Sequence, residues 1–382
     1  SPVEICGIGR FPDQSLSYPV TGRGNRTLTT TGSSQPSRSP KPTEPRSAVV
    51  PVETQPARSD WHSDLASAIR DPEELVARLG LPPSVLDGTR RGSRLFPLLV
   101  TESFLARMQP GDPDDPLLLQ VLPRASEFTE VEGFTTDAVA DMSSRRAAGL
   151  IHKYPGRALL IATGSCAVHC RYCFRRHFPY GDEPRRLDEW EPALATLRED
   201  PSITEIILSG GDPLMLTDRR LGELVTRLET INQLTRLRLH TRLPVVLPSR
   251  VTTALLDLLN DTRLTTIVVI HANHPAEISG DCEAALRRLV RGGLAVLNQA
   301  VLLRGINDNV DALSDLCSRL ADLGVMPYYL HQLDRVAGTA GFEVPESTGR
   351  DLVRQLADRL PGYAVPQYVR EVPGAESKIR LV

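Results

Sequence analysis

Three cysteines fall within eight residues in the stretch GSCAVHCRYCFRRHFPYG: Cys166, Cys170 and Cys173, spaced C-x3-C-x2-C. Thiolates bind soft metals and iron–sulfur clusters, so the spacing is first a question of coordination. A structural zinc site takes four ligands, often as two C-x2-C pairs. Here one C-x2-C pair has a single further cysteine upstream, and His169 or His177 would complete a Cys3His zinc set. The other reading is a 4Fe–4S cluster held by three thiolates. Its fourth iron would then be open to a small molecule, as in a catalytic rather than a closed site.

The composition sets the limits. The chain has 382 residues, 41% of them hydrophobic and 24% charged, enough for one large α/β domain and a smaller one. A formal charge of −3 gives no whole-chain case for nucleic-acid or membrane binding. No apolar run approaches the roughly 20 residues that span a bilayer. Six cysteines, half of them in one loop, suit a metal site in a reducing compartment better than a disulfide scaffold. Cys6, Cys282 and Cys317 are scattered and read as incidental thiols. Residues 1–57 hold nine of the 31 prolines and no sustained apolar period, so they read as a disordered low-complexity extension. Their acid-free stretch with Arg23, Arg26, Arg38 and Lys41 faintly resembles a transit peptide, though a dispensable tail is the preferred reading.

These residues need elements to position them. DWHSDLASAIRDPEELVARLGL has apolar residues at helical spacing, with Asp71-Pro72 as N-cap and first helical position. Residues 58–145 therefore read as a small helical N-terminal domain. Over residues 146–382, apolar runs at 158–163, 204–210, 237–241, 266–271, 295–303 and 326–332 alternate with amphipathic helices near 186–199, 217–231, 252–260, 280–291, 309–322 and 346–359. Such alternation predicts an α/β fold of right-handed βαβ units. Six units fall short of a closed eight-fold barrel, so the expectation is a partial (βα)6, TIM-like barrel. The cysteines, Gly210-Gly211-Asp212, His240, His271, Gln299 and His331 fall at or near strand C-terminal ends, where such folds gather their chemistry.

The cysteine array after the first barrel strand, with Tyr172 before its last cysteine and SGGDPL at the second strand end, resembles the signature of radical S-adenosylmethionine enzymes. The resemblance sharpens to the lysine 2,3-aminomutase family through CAVHCRYCFRRHFPY, RLPVVLPSRVT, NQAVLLRGINDN and MPYYLHQLD. It spans nearly everything from Asp60 to Val382. Within the family the leader DPEELVARLGL, the segment GDPDDPLLLQVLP and the wording RRHFPY point to the branch serving elongation factor P. The end of the chain four residues after Lys378 points the same way.

The resemblance implies a radical S-adenosylmethionine barrel with three cofactors: a 4Fe–4S cluster on Cys166, Cys170 and Cys173, S-adenosylmethionine, and pyridoxal phosphate on Lys378. Gly210, Gly211, Asp212, His271 and Gln299 match positions that contact S-adenosylmethionine. Lys153 and Arg157 match the donors to the pyridoxal phosphate group. Arg175, with Arg176 as fallback, matches the residue that takes the substrate carboxylate. Asp334 and Glu371 match the acids facing its distal ammonium, although the family has Asp at the second position. The implied activity is conversion of L-lysine to (R)-β-lysine, cytoplasmic, driven by a flavodoxin- or ferredoxin-type reductant and linked to an elongation factor P lysyl ligase. A homo-oligomer is possible within that picture. Free β-lysine, another amino acid such as glutamate, or a non-catalytic zinc-bound barrel are the competing readings.

Overall fold

The computed structural model describes residues 60–382; the extension expected at the N-terminus, with Cys6, lies outside the described residues. One ten-stranded sheet runs in chain order. Its strands are β1 (Arg145–Ala147), β2 (Leu150–Tyr154), β3 (Arg157–Thr163), β4 (Glu205–Gly210), β5 (Arg236–Thr241), β6 (Thr265–His271), β7 (Ala295–Val301), β8 (Met326–His331), β9 (Gln367–Arg370) and β10 (Ile379–Arg380). Neighbours from β3 to β9 are parallel, while β1, β2 and β10 add antiparallel edges. The helices Glu191–Glu199, Asp218–Glu229, Thr253–Asn260, Gly280–Arg291, Val310–Asp322 and Glu346–Arg359 join the parallel strands. The fold is thus α/β, with six strand–helix units at the expected places. A seventh parallel strand, β9, and the antiparallel edges were not foreseen.

Strand residues alternate between two environments, as the pleat requires. Ala158, Leu160, Ala162, Leu208, Leu237, Leu239 and Ile270 are buried in one core with Leu194, Leu224 and Leu286 of the helices. The intervening residues Leu159, Ile207, Ser209, Arg238, His240, His271 and Gln299 instead line a cavity. Thr217, Thr252 and Asn309 cap three of the helices through side-chain oxygens. Among the described residues no helix is long and apolar enough to cross a membrane.

The leader is built from short pieces. Helices span Trp61–Ala66, Pro72–Arg78, Thr89–Leu95 and Glu102–Leu105, and Asp71 caps the second by accepting from Glu73 N. Trp61, Leu75, Phe104 and Leu118 share the barrel's core. Glu127 fastens the leader to the cysteine loop. Its carboxylate takes both nitrogens of a two-point pair with fully buried Arg171 and also pairs with Arg176 at 2.7 Å.

Candidate active site

A cavity of about 550 Å³ opens along the inner face of the sheet. Every residue singled out above for cluster, cofactor or substrate lines it: Cys166, Cys170, Cys173, Arg175, Lys153, Arg157, Gly210, Gly211, Asp212, His271, Gln299, Asp334, Glu371 and Lys378. They come from loops and strands spread over more than 220 residues of chain. Parallel strands deliver the cysteine loop, Gly210, Gly211, Asp212, His271 and Gln299 at or near their C-terminal ends, while the antiparallel β2–β3 turn brings Lys153 and Arg157 and the β9–β10 hairpin brings Glu371 and Lys378.

The cysteine loop lies at one end. Cys166, Cys170 and Cys173 are free thiols and half-buried. Burial first, and then the neighbouring sulfurs, pushes the Cys166 thiol well up and the Cys173 thiol to about 11. Among the described residues no group of three or more His, Cys, Asp or Glu side chains is arranged to hold a single metal ion. The two histidines offered for a zinc set are engaged elsewhere: His169 Nδ1 with the Pro97 carbonyl and His177 Nε2 with the Ala337 carbonyl, each at 2.9 Å. A cubane, by contrast, presents a separate iron to each thiolate. Cys282 and Cys317 are buried in helices, and burial lifts each thiol to about 12, as expected of inert cysteines.

The glycines of SGGDPL permit a close approach. Gly210 has φ +118°, and a Cβ there would strike the Thr163 carbonyl oxygen. A Cβ on Gly211 would collide with the Ser165 carbonyl, one residue from Cys166. Gly211→Ala should therefore displace the cysteine loop, lower stability by about 1–3 kcal/mol in denaturant unfolding, and reduce bound iron after reconstitution. Asp212 serves the same junction. Its Oδ1 accepts from Thr241 Oγ1 at 2.7 Å and its Oδ2 from Arg242 N at 2.6 Å. Burial raises its pKa to about 6 while these bonds hold it down. Asp212 thus braces the end of β5 as well as lining the cavity.

A buried polar group that the sequence did not single out surrounds Tyr172 and Cys170. Arg242 Nη1 donates to Cys170 Sγ at 2.7 Å and to Tyr172 Oη at 2.6 Å. Its Nη2 donates to Gln120 Oε1 at 2.7 Å and Glu277 Oε2 at 3.0 Å. Tyr172 stacks on His271, with ring centroids 5.7 Å apart, and its hydroxyl lies 3.1 Å from His271 Nε2. Burial, with Arg242 adding, drives His271 down to about 3, so the imidazole is neutral. His271 and Gln299 are register partners on β6 and β7.

At the other end the β9–β10 hairpin sets Ile379 opposite Arg370. The next pair out is Lys378 and Glu371, which meet as an ion pair. From there charges alternate along the wall. Glu371 also faces Lys153 at 3.4 Å, Lys153 pairs with Asp141 at 2.6 Å, and Asp141 takes Arg175 Nε at 2.7 Å. Arg175 Nη1 donates to Ser209 Oγ at 3.1 Å. Burial alone would raise the Asp141 and Glu371 carboxyls. Arg175 and Lys153 outweigh it at the first, Lys378 and Lys153 at the second, so both stay below the usual range. At Asp334 burial prevails over Lys378 and raises the carboxyl to about 7. Lys153 therefore stands between two carboxylates, and Arg157 lies over the Tyr154 ring at 4.6 Å. Arg176, the alternative to Arg175, is committed to Glu127 and to the Arg171 and Gly338 carbonyls. Asp141, Arg242, Glu277 and Gln120 were not singled out from the sequence, although Arg242 heads RLPVVLPSRVT and Gln120 lies in GDPDDPLLLQVLP.

Comparison with known proteins agrees with this geometry. Residues 160–317 match the Radical SAM superfamily model. The L-lysine 2,3-aminomutase of Escherichia coli (strain K12) is 45% identical over 328 residues, which cover 85% of this chain and 95% of that protein. The enzyme of that name from Haemophilus influenzae Rd is 41% identical over 319 residues, 84% of this chain and 94% of the relative. The one from Clostridium subterminale is 32% identical over 321 residues, 84% of this chain and 77% of the relative. A radical S-adenosylmethionine domain over the cysteine loop brings with it a 4Fe–4S cluster and S-adenosylmethionine. With near full-length identity on both sides, the chain belongs to the L-lysine 2,3-aminomutase family, isomerases of the radical S-adenosylmethionine superfamily.

Proposed function

We propose that this chain converts L-lysine to (R)-β-lysine in the cytoplasm, with Cys166, Cys170 and Cys173 holding the cluster and Lys378 holding pyridoxal phosphate. The observation that carries the reading is one cavity lined at one end by three free thiols and at the other by Lys378, paired with Glu371. The residues fit the groups. Arg242 Nε is buried with no partner among the described residues, a donor suited to a cluster sulfide or a bound ligand. Gly210 and Gly211 let the Thr163 and Ser165 carbonyls close in beside Cys166 while both glycines line the cavity. When bound, the cluster and S-adenosylmethionine supply a radical that removes hydrogen from carbon, and pyridoxal phosphate supplies a π-system over which the resulting radical spreads.

The chain's own part is to bind, orient and exclude water. Arg175, its plane fixed by Asp141 and Ser209, receives the substrate carboxylate. Asp334 and Glu371 receive the distal ammonium, and Lys153 and Arg157 face the phosphate. Gly210, Gly211, Asp212, His271 and Gln299 form the S-adenosylmethionine wall. Two acids at one end favour lysine over glutamate, whose distal carboxylate would meet like charge at a cost of several kcal/mol. The reading extends to a flavodoxin- or ferredoxin-type electron donor and to delivery of the product to a lysyl ligase acting on elongation factor P.

Anaerobic loading with iron, sulfide, pyridoxal phosphate and S-adenosylmethionine, followed by chiral analysis of products from L-lysine, tests the activity. (R)-β-lysine is the expected product, and a fully loaded protein that leaves lysine unchanged would refute the reading. Asp334 adds a pH signature. An ammonium needs the ionised carboxylate, and burial favours the neutral form. Substrate capture should therefore strengthen as pH rises through about 7. In Asp334→Asn the corresponding inflection in kcat/KM should vanish and kcat/KM should fall about 30-fold or more, the scale of one lost partner in a buried charge pair.

A further inference from the structure

The pair Arg242–Glu277 sits in the wall behind the cysteine loop; apart from the unpartnered Nε of Arg242, the function proposed above gives the pair no role. Both are buried. Arg242 donates to the sulfur of Cys170, and Glu277 stands directly behind it at 3.0 Å. Glu277 is itself held in place by the Asn273 and His274 amides and by Gln120 Nε2. Arginine is protonated at any ordinary pH, and the Glu277 carboxylate at 3.0 Å completes a buried ion pair behind the sulfur.

We propose that Arg242 and Glu277 are positioning residues that set, with opposite signs, how readily the iron–sulfur cluster accepts its electron. The inference rests on the cluster reading above. The step is a one-electron transfer from a low-potential donor protein to the cluster, with no bond made or broken. The reduced cluster carries one more negative charge, part of it on the cysteine sulfurs. An N–H from a cation to Cys170 stabilises that state more than the oxidised one. Glu277 offsets part of the arginine's charge, so it works in the other direction. Because both lie away from water, neither influence is screened as a surface charge would be.

The test is a reductive titration of the loaded wild type, Arg242→Gln and Glu277→Gln, followed by electron paramagnetic resonance, with iron and sulfide measured on each sample. Arg242→Gln should make reduction about tenfold less favourable, a shift of about 59 mV to lower potential for one electron. Glu277→Gln removes the charge, keeps an oxygen to accept from the Asn273 and His274 amides and Gln120 Nε2 at the loss of the bond from Arg242, and should shift the potential upward. A purely structural role would not yield opposite signs. If Arg242→Gln fails to load its cluster, the upward shift in Glu277→Gln still decides the matter. Fully loaded variants with unchanged potentials, or with both moved the same way, would overturn the proposal. So would an unchanged potential in Arg242→Gln accompanied by weakened S-adenosylmethionine binding, which would assign the guanidinium to that ligand. A wild type that takes up no iron and sulfide would remove the cluster reading itself, a result separate from unchanged midpoints.

Discussion

Lys378→Ala should yield a protein that loads its cluster normally, shows none of the visible absorbance of lysine-bound pyridoxal phosphate, and turns over no lysine. The expected loss of rate is on the order of 10⁴-fold or more, the scale reached when a covalent nucleophile is removed from an enzyme. The reason lies in the hairpin. β10 is only two residues long, yet its register against β9 fixes Lys378 opposite Glu371 with its amine lining the cavity. A lysine on a free chain end would have no such constraint. Lys378→Arg separates the covalent role from the electrostatic one. Arginine restores a cation beside Glu371, but it cannot bond a carbonyl cofactor, so the absorbance should stay absent. The cluster, more than 200 residues away in sequence, should read the same in all three proteins by iron content. A Lys378→Ala protein that kept the absorbance and the activity would remove pyridoxal phosphate from this lysine.

The parallel body of the fold was legible because its signals are strong. Buried strands such as TTIVVIH and EIILSG read as continuous apolar runs, and helices such as VDALSDLCSRLAD repeat at 3.6. The antiparallel edges were not. LIHKY is apolar only in its first half, QYVR has four residues, and the pairing of Ile379–Arg380 rests on a register that no local pattern encodes. The Pro155-Gly156 turn between β2 and β3 was a readable hairpin signal. In the site, residues within recognisable motifs were found. Asp141 was not, because it has no motif; it matters only through Arg175 and Lys153, which tertiary structure brings to it. Glu277 and Gln120 act likewise through Arg242, across 35 and 122 residues of sequence. Residues that do chemistry leave type and spacing behind; residues that hold them leave only contacts.

Cys170→Ala should be as severe as the lysine change but with the opposite spectroscopic signature. In the proposed cluster Cys170 is the middle ligand, and it is the sulfur that Arg242 contacts. Its removal takes one of three anchors from the cluster and leaves the guanidinium facing a methyl group. Two thiolates cannot hold a cubane against loss to chelators, so iron and sulfide should fall to a small fraction of wild type, with loss of the brown colour. Turnover should drop below detection, since in the proposed function the cluster delivers the electron. Pyridoxal phosphate absorbance should persist, because the β9–β10 register that places Lys378 beside Glu371 involves neither Cys170 nor its partner Arg242. The two variants thus divide the cavity into halves with separate readouts. A zinc-bound, non-catalytic barrel predicts a different result: colourless wild type, stoichiometric zinc, and a Cys170→Ala protein changed only in stability. Metal analysis of the wild type beside this variant distinguishes them, and retention of four irons in Cys170→Ala would refute the three-thiolate cluster outright.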